Sequence, residues 1–238
     1  MPALPGRLVT IDGPAGSGKS SVARELAARL GWRFLDTGAM YRTVGLLGLR
    51  RGLDFSDSAA VVRAMDAAVI DFDWSQDPPR IRLDGEAVDE AIRSLDATDA
   101  SSRVASMPEV RARLVEAQRR IALEHGSFGL VSEGRDQGSV VFPTALVRFF
   151  LDAPVEERAK RRVEQLESAG MAADLESIRR GIRERDAHDR ARAVGPLVIP
   201  LGGVVIDTGS LPMEAVVDRL EGVVREALGS VTAARATS

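Results

Sequence analysis

The sequence predicts an α/β fold: a five-stranded parallel sheet wrapped by helices, with a small inserted β-containing subdomain and a helical lid. Three observations lead there. An apolar strand, a glycine-rich loop and an amphipathic helix follow one another between Leu8 and Leu30. Further along, short apolar runs alternate with helical periodicities, as in a parallel sheet covered on both faces. Over residues 64–103 that rhythm gives way to paired alternating runs, and over 153–194 to two long, highly charged helical segments.

The elements follow in order. Leu8-Val9-Thr10-Ile11 is β-branched and apolar, a buried strand. Ser21–Leu30 carries Val22, Ala23, Leu26, Ala27 and Leu30 at helical spacing, and Gly31 follows as a C-cap. Trp32–Leu35 is the second core strand. Asp36-Thr37-Gly38 then opens a helix through Met40, Tyr41, Val44 and Leu47, whose length Gly45 and Gly48 leave open. Asp57–Ala68 is amphipathic. Val69–Trp74 and Arg80–Leu83 alternate across Gln76-Asp77-Pro78-Pro79, and Asp84-Gly85 turns the chain again before Glu86-Ala87-Val88. Pro108 starts a helix that Val110–Leu123 continues. Phe128–Ser132, Val147–Leu151 and Gly203–Asp207 complete the core strands. Pro154–Leu166 and Leu175–Arg190 are the charged helices, joined by Glu167-Ser168-Ala169-Gly170, and Pro212–Leu228 closes the chain. One domain over 7–228 then comprises a core (7–63, 104–152, 195–228), the insertion 64–103 and the lid 153–194. The segment before Arg7 and the tail 229–238 are expected to be frayed.

Composition narrows the function. Without cysteine, thiolate metal sites and disulfides are impossible, and His125 and His188 stand too far apart in sequence for a metal pair. The net charge of −3 argues against a protein that coats nucleic acid. No apolar stretch approaches the roughly 20 residues that cross a bilayer, and no signal-peptide pattern opens the chain. The expectation is a cytoplasmic monomer acting on small molecules, with no nucleic-acid or membrane partner.

Arginine supplies nearly every cation: Lys19 and Lys160 are the only lysines. Lys19 lies in Gly13-Pro14-Ala15-Gly16-Ser17-Gly18-Lys19-Ser20, which fits G-x-x-x-x-G-K-[ST] at every constrained position. A strand, this loop and a helix start aim backbone N–H groups and the positive end of the helix dipole at an anion. Gly13, Pro14, Ala15, Gly16, Ser17, Gly18, Lys19, Ser20 and Ser21 are therefore candidates for holding a nucleoside triphosphate. Lys19 reaches the β/γ oxygens and the Ser20 hydroxyl helps hold Mg2+. The motif says that a nucleoside triphosphate binds, and nothing about what is done with it.

Arginines past strand ends suggest a second anion. Arg42 and Arg135 each lie within a few residues of a glycine just after a strand, where ligands of a parallel sheet gather, and Arg111 lies near a helix start. Guanidinium forks suit the phosphate of a nucleoside monophosphate. Glu133 could orient water around Mg2+ or simply pair with an arginine. The lid segments are dense in arginine, Arg158, Arg162, Arg185 and Arg190 among them. Such runs are ordinarily solvated faces, but two facing helices at the rim of a phosphate site would expel water and bring cations onto a transferring phosphoryl group. These four and Lys19 are the candidate catalytic residues. A nucleotide-driven switch, a kinase with another acceptor and a nucleic-acid-binding hairpin all remain readings of these residues.

Four separated motifs carry a family resemblance: Thr10–Lys19, Leu35-Asp36-Thr37-Gly38-Ala39-Met40-Tyr41-Arg42, Glu133-Gly134-Arg135-Asp136 through Pro143, and Glu184-Arg185-Asp186 with Asp189, Arg190 and Arg192. In that order they resemble bacterial cytidylate kinases over about residues 7–228. The resemblance implies the P-loop nucleoside monophosphate kinase fold, the insertion as part of the monophosphate-binding domain, and transfer from ATP to CMP or dCMP with Mg2+ in pyrimidine nucleotide metabolism. It further implies that Thr37, Arg42 and Arg135 hold the acceptor phosphate and that Tyr41 lines its pocket. Ser102, Arg111, Asp136 and Arg192 would read cytosine, Arg185 and Asp189 would hold the ribose, and Arg158 and Arg162 would face the donor phosphates. Thr37 stands for a serine, Glu133 for an aspartate and Gln137 for an apolar residue of some relatives; the last puts local packing in question.

The base assignment also agrees with hydrogen-bond chemistry. Cytosine offers an exocyclic amine where uracil offers a carbonyl, so a carboxylate at Asp136 accepts from one and repels the other. Arg111, Arg192 and Ser102 can donate to ring N3 and O2.

Overall fold

The computed structural model describes residues 6–168 and 170–236; the expected frayed start before Gly6 and Ala169 of the lid turn lie outside them. The chain falls into two compact units: one reaches from the N-terminal part to Arg33 and resumes at Ala122, and the other spans Phe34–Ile121.

In the first unit, β1 (Leu8–Asp12) is buried along its whole length, as its unbroken apolar run requires. The helix α1 (Lys19–Leu30) follows, beginning two residues before the apolar periodicity does. Gly31 ends it in the left-handed region at φ 64°, donating its N–H back to Ala28. Next comes β2 (Arg33–Asp36), at whose first residue the two units divide.

The second unit then runs through α2 (Thr37–Arg50), α3 (Ser58–Asp66), β3 (Ile70–Asp73), β4 (Arg80–Leu83), β5 (Glu86–Ala87), α4 (Leu95–Val104) and α5 (Pro108–His125), the end of α5 passing back into the first unit. The three strands form an antiparallel sheet in the order β3-β4-β5, with Phe72 opposite Ile81. Two features that the sequence reading left open or missed appear here. The helix α2 continues past both of its glycines to Arg50. A Cβ at Gly45 would meet the Ser101 backbone nitrogen at 2.9 Å and Ala100 Cβ at 3.0 Å, and one at Gly48 would meet the Phe55 ring at 2.6 Å. Both glycines are points of close packing. In addition α4, which the sequence reading did not assign, packs on α2, so the compact unit extends well beyond the expected insertion 64–103.

The first unit continues with β6 (Leu130–Gly134), a wide helical turn over Gln137–Val141, β7 (Val147–Asp152), α6 (Val155–Ser168), α7 (Leu175–Ala191), β8 (Val204–Asp207) and α8 (Met213–Ala236). Where a frayed tail was expected over 229–238, α8 runs through Gly229 to Ala236, and the last two residues lie outside the described ones. The parallel sheet has the order β2-β6-β1-β7-β8. Register sets Ile11 beside Glu133 and Phe149, and Asp12 beside Gly134 and Phe150. Leu8, Ile11, Leu26, Leu130, Phe149, Leu151, Ile206 and Leu220 fill its core. The carboxyl ends of β1, β6 and β7 therefore lie side by side. Among the described residues no helix is long and apolar enough to cross a membrane.

Candidate active site

The loop between β1 and α1 has the geometry of an anion cradle. Gly13 sits at φ 150°, and a Cβ there would lie 2.0 Å from the Leu151 carbonyl oxygen, so only glycine fits. Gly16 and Gly18 are also in the left-handed region, and Gly18 caps α1 without a side chain. The Ser17 hydroxyl donates to the Pro14 carbonyl at 3.1 Å. Lys19 folds back over the loop, its Nζ donating to the Pro14 carbonyl at 2.7 Å and to Ser17 Oγ at 3.4 Å.

This ammonium is buried. Desolvation, aided by the positive charge of Arg135, pushes the Lys19 pKa down to about 7, while Glu133 and Asp12 oppose the shift. Asp12 is wholly buried at the end of β1, and burial pushes it up to about 7 although its oxygens accept from the Gln137 and Gly138 N–H groups at 2.8 and 2.7 Å. Asp12 thus ties the turn after β6 to the strand that feeds the P-loop.

Ser20 Oγ donates to Glu133 Oε1 at 2.7 Å. A hydroxyl and a carboxylate so close together suit a hard divalent cation. Among the described residues no group of three or more His, Cys, Asp or Glu could hold a metal, so such an ion would take its other ligands from nucleotide oxygens and water.

Beyond β6, Asp136 is buried and Arg135 donates from Nε to Asp189 Oδ2 at 3.0 Å. Arg192 donates to the other Asp189 oxygen. Burial raises the Asp189 pKa, but the charges of Arg135 and Arg192 outweigh it and hold the carboxyl below its ordinary value. The structure therefore brings three predicted acceptor-site residues, Arg135, Asp189 and Arg192, into one cluster. Gln137 has a clear explanation: it is buried, and its Oε1 accepts from the Ser132 hydroxyl at 2.8 Å.

The lid arginines divide. The Arg158 guanidinium is 2% exposed and donates to the Ala153 and Ala15 carbonyls and, through Nη1 and Nη2, to both oxygens of buried Asp186 at 3.1 and 2.6 Å. Four of its N–H groups are thus committed to protein. Its bond to the Ala15 carbonyl joins it to the P-loop, where a Cβ at Gly16 would stand 3.3 Å from Arg158 Cβ. Arg162 is exposed and donates to Gln165 at 3.5 Å, Arg190 is exposed, and Arg185 is half-buried.

Thr37, Tyr41, Arg42, Ser102 and Arg111 all lie in the second unit. The Asp36 carboxylate caps α2 by accepting from the Ala39 N–H at 2.8 Å, and its second oxygen accepts from Arg42 Nη2 at 2.9 Å. Thr37 is buried in the first turn. Arg111, also buried, stacks over the Tyr41 ring at 5.8 Å. Ser102 lies on α4, its hydroxyl directed to the Thr98 carbonyl at 3.5 Å.

A cavity of about 540 Å³ adjoins the P-loop within the first unit, lined by Gly18, Ser21, Val22, Arg161, Leu211 and Met213 among others. Thr208 borders it too. Its hydroxyl donates to the Ser17 carbonyl at 3.0 Å and to the Asp152 carbonyl at 3.1 Å, and its own carbonyl accepts from Arg161. The sequence reading gave no individual role to Asp12, Asp186 or Thr208. Asp12 ends β1 and Thr208 follows β8, positions that could have found them; Asp186 stood only within a motif of the family resemblance.

The family model described as cytidylate kinase matches residues 9–226. Cytidylate kinase of Mycolicibacterium paratuberculosis is 47% identical over 219 residues, covering 92% of this chain and 95% of that protein. That of Pelotomaculum thermopropionicum is 47% identical over 212 residues, covering 88% and 92%, and that of Dichelobacter nodosus is 40% identical over 217 residues, covering 91% and 96%. Among solved structures, a gluconokinase from Sinorhizobium meliloti superposes with a TM-score of 0.51 at 15% identity, over 96% of this chain and 97% of that one, which is a likeness of fold alone. The match takes in the P-loop, the Asp36–Arg42 turn, the turn after β6 and α7 together, and the chain belongs to the cytidylate kinase family.

Proposed function

We propose that the protein transfers the γ-phosphoryl group of ATP to CMP or dCMP, giving ADP and CDP or dCDP. The observation that carries this reading is the span of the family match, residues 9–226, which includes the anion cradle and every candidate acceptor residue from Thr37 to Arg192. The glycine-loop amides receive the donor phosphates, Lys19 neutralises the β/γ oxygens, and the cavity beside Thr208 takes the donor base. Ser20 and Glu133 would hold Mg2+, which supplies charge neutralisation on the donor oxygens.

Thr37, Arg42 and Arg135 bind the acceptor phosphate, Arg185 and Asp189 the ribose, and Ser102, Arg111, Asp136 and Arg192 the cytosine, with Tyr41 against the pocket. The acceptor phosphate is itself a competent nucleophile, so no general base is required. Catalysis rests on alignment and on cationic stabilisation of a loose transition state by Lys19 and the lid arginines Arg162, Arg185 and Arg190. Closure of α6 and α7 over the phosphates excludes water and protects ATP from hydrolysis. We assign this activity to pyrimidine nucleotide metabolism in the cytoplasm, carried by a monomer.

Replacing Asp136 with alanine tests the base reading. The variant should lose the preference for CMP over UMP in kcat/KM by about a hundredfold or more, because the carboxylate that accepts the cytosine amine is gone. An unchanged ratio would contradict the assignment.

A further inference from the structure

The Asp36 carboxylate does two things at once. Oδ1 accepts from the Ala39 N–H at 2.8 Å and caps α2, and Oδ2 accepts from Arg42 Nη2 at 2.9 Å, on the second turn of the same helix. The guanidinium is thereby gripped at one end only. Its Nε is buried and has no hydrogen-bond partner among the described residues. A buried, charged donor left unmet is costly, and an anion relieves the cost. Gly38 keeps the arrangement open: a Cβ there would stand 3.1 Å from Arg42 Nη1 and 3.1 Å from Asp36 Oδ1.

From this geometry we infer that Asp36 is a positioning residue for the acceptor phosphate: it fixes the Arg42 guanidinium to the first turn of α2 so that the unmet donors face the anion. A free arginine side chain samples many rotamers, and one tethered to a helix cap has lost that entropy before the ligand arrives. The inference rests on reading Arg42 as a ligand of the acceptor phosphate, and the test separates the two.

The measurement is KM for CMP, KM for ATP, kcat and Tm across Asp36→Asn, Asp36→Ala, Gly38→Ala, Arg42→Ala and the pair Asp36→Asn with Arg42→Ala. Asparagine retains an oxygen for the Ala39 N–H but presents no anion to Arg42. Asp36→Asn should therefore keep the Tm of the parent and raise KM for CMP on the order of tenfold with KM for ATP unchanged. Asp36→Ala should show the same KM change with a lower Tm, because the cap goes as well. Gly38→Ala crowds the pair while leaving the cap carboxylate in place, and should raise KM for CMP without lowering Tm. On an Arg42→Ala background, Asp36→Asn should add nothing. If Arg42→Ala raises KM for CMP while Asp36→Asn and Gly38→Ala leave it at the parent's value, the positioning role is overturned. Should Arg42→Ala itself leave KM for CMP unchanged, the phosphate assignment fails, and the positioning role falls with it.

Discussion

Arg158 Nη2 donates to Asp186 Oδ2 at 2.6 Å, and side-chain exposure of the two is 2% and 3%. The pair ties α6 to α7, and because Arg158 also donates to the Ala15 carbonyl, it ties both helices to the P-loop. A buried pair stabilises little against a hydrophobic replacement, but removing one partner strands the other. Asp186→Ala should therefore destabilise the fold by roughly 3–5 kcal/mol, read by urea denaturation. Arg158→Met with Asp186→Leu should cost much less. Equal losses in the single and double variants would contradict this account.

At Gly13 the constraint is steric. With φ 150° and a Cβ only 2.0 Å from the Leu151 carbonyl, Gly13→Ala must move either the loop or the end of β7. The expected outcome is loss of ATP binding by calorimetry, with a lowered Tm. Parental ATP affinity in this variant would show that the loop tolerates displacement.

The Lys19 prediction concerns protons. Its ordinary value of 10.5 falls to about 7, chiefly by burial. The sign follows directly: the cost of burying the ammonium is full below about 7 and fades as pH rises toward 10.5, where the unfolded chain also loses the proton. A triphosphate restores the charged form, so ATP binding at pH 8 should take up about one proton, and uptake should vanish near pH 5.5. Calorimetry in buffers of different ionisation enthalpy measures it. Uptake that persists in Lys19→Met would assign the proton elsewhere.

Gln137 gives a smaller test. Gln137→Leu removes the acceptor for the Ser132 hydroxyl in a buried place and should cost about 1–3 kcal/mol. Adding Ser132→Ala should recover part of that, since no hydroxyl is then left unmet. A double variant less stable than Gln137→Leu alone would exclude this explanation.

The legible parts of the chain were those whose physics is local. The five core strands, the P-loop and the Pro108 helix start each declare themselves within a dozen residues. The helix α4 did not, because the face it buries, Ala97, Ala100, Ser101 and Val104, has helical spacing but only small side chains, so the stripe carries little apolar weight. Gly45 and Gly48 left the length of α2 open because the neighbours that require them, Ala100, Ser101 and Phe55, belong to other segments. The same limit applies to the site. Lys19 and Ser20 are candidates that the loop alone offers, but the Arg158–Asp186 pair spans 28 residues, and the link from Asp12 to the Gln137 and Gly138 amides spans more than a hundred. Arg158 was therefore read as one more lid arginine, with no sign of the buried pair it makes with Asp186.

The most direct test supplies purified protein with magnesium and ATP and follows ADP release against CMP, dCMP, UMP, AMP and no acceptor, with CDP identified chromatographically. The account predicts rapid ADP release with CMP or dCMP, matched mole for mole by CDP or dCDP, and little without an acceptor. Steady ATP hydrolysis indifferent to CMP, with no CDP formed, would contradict it.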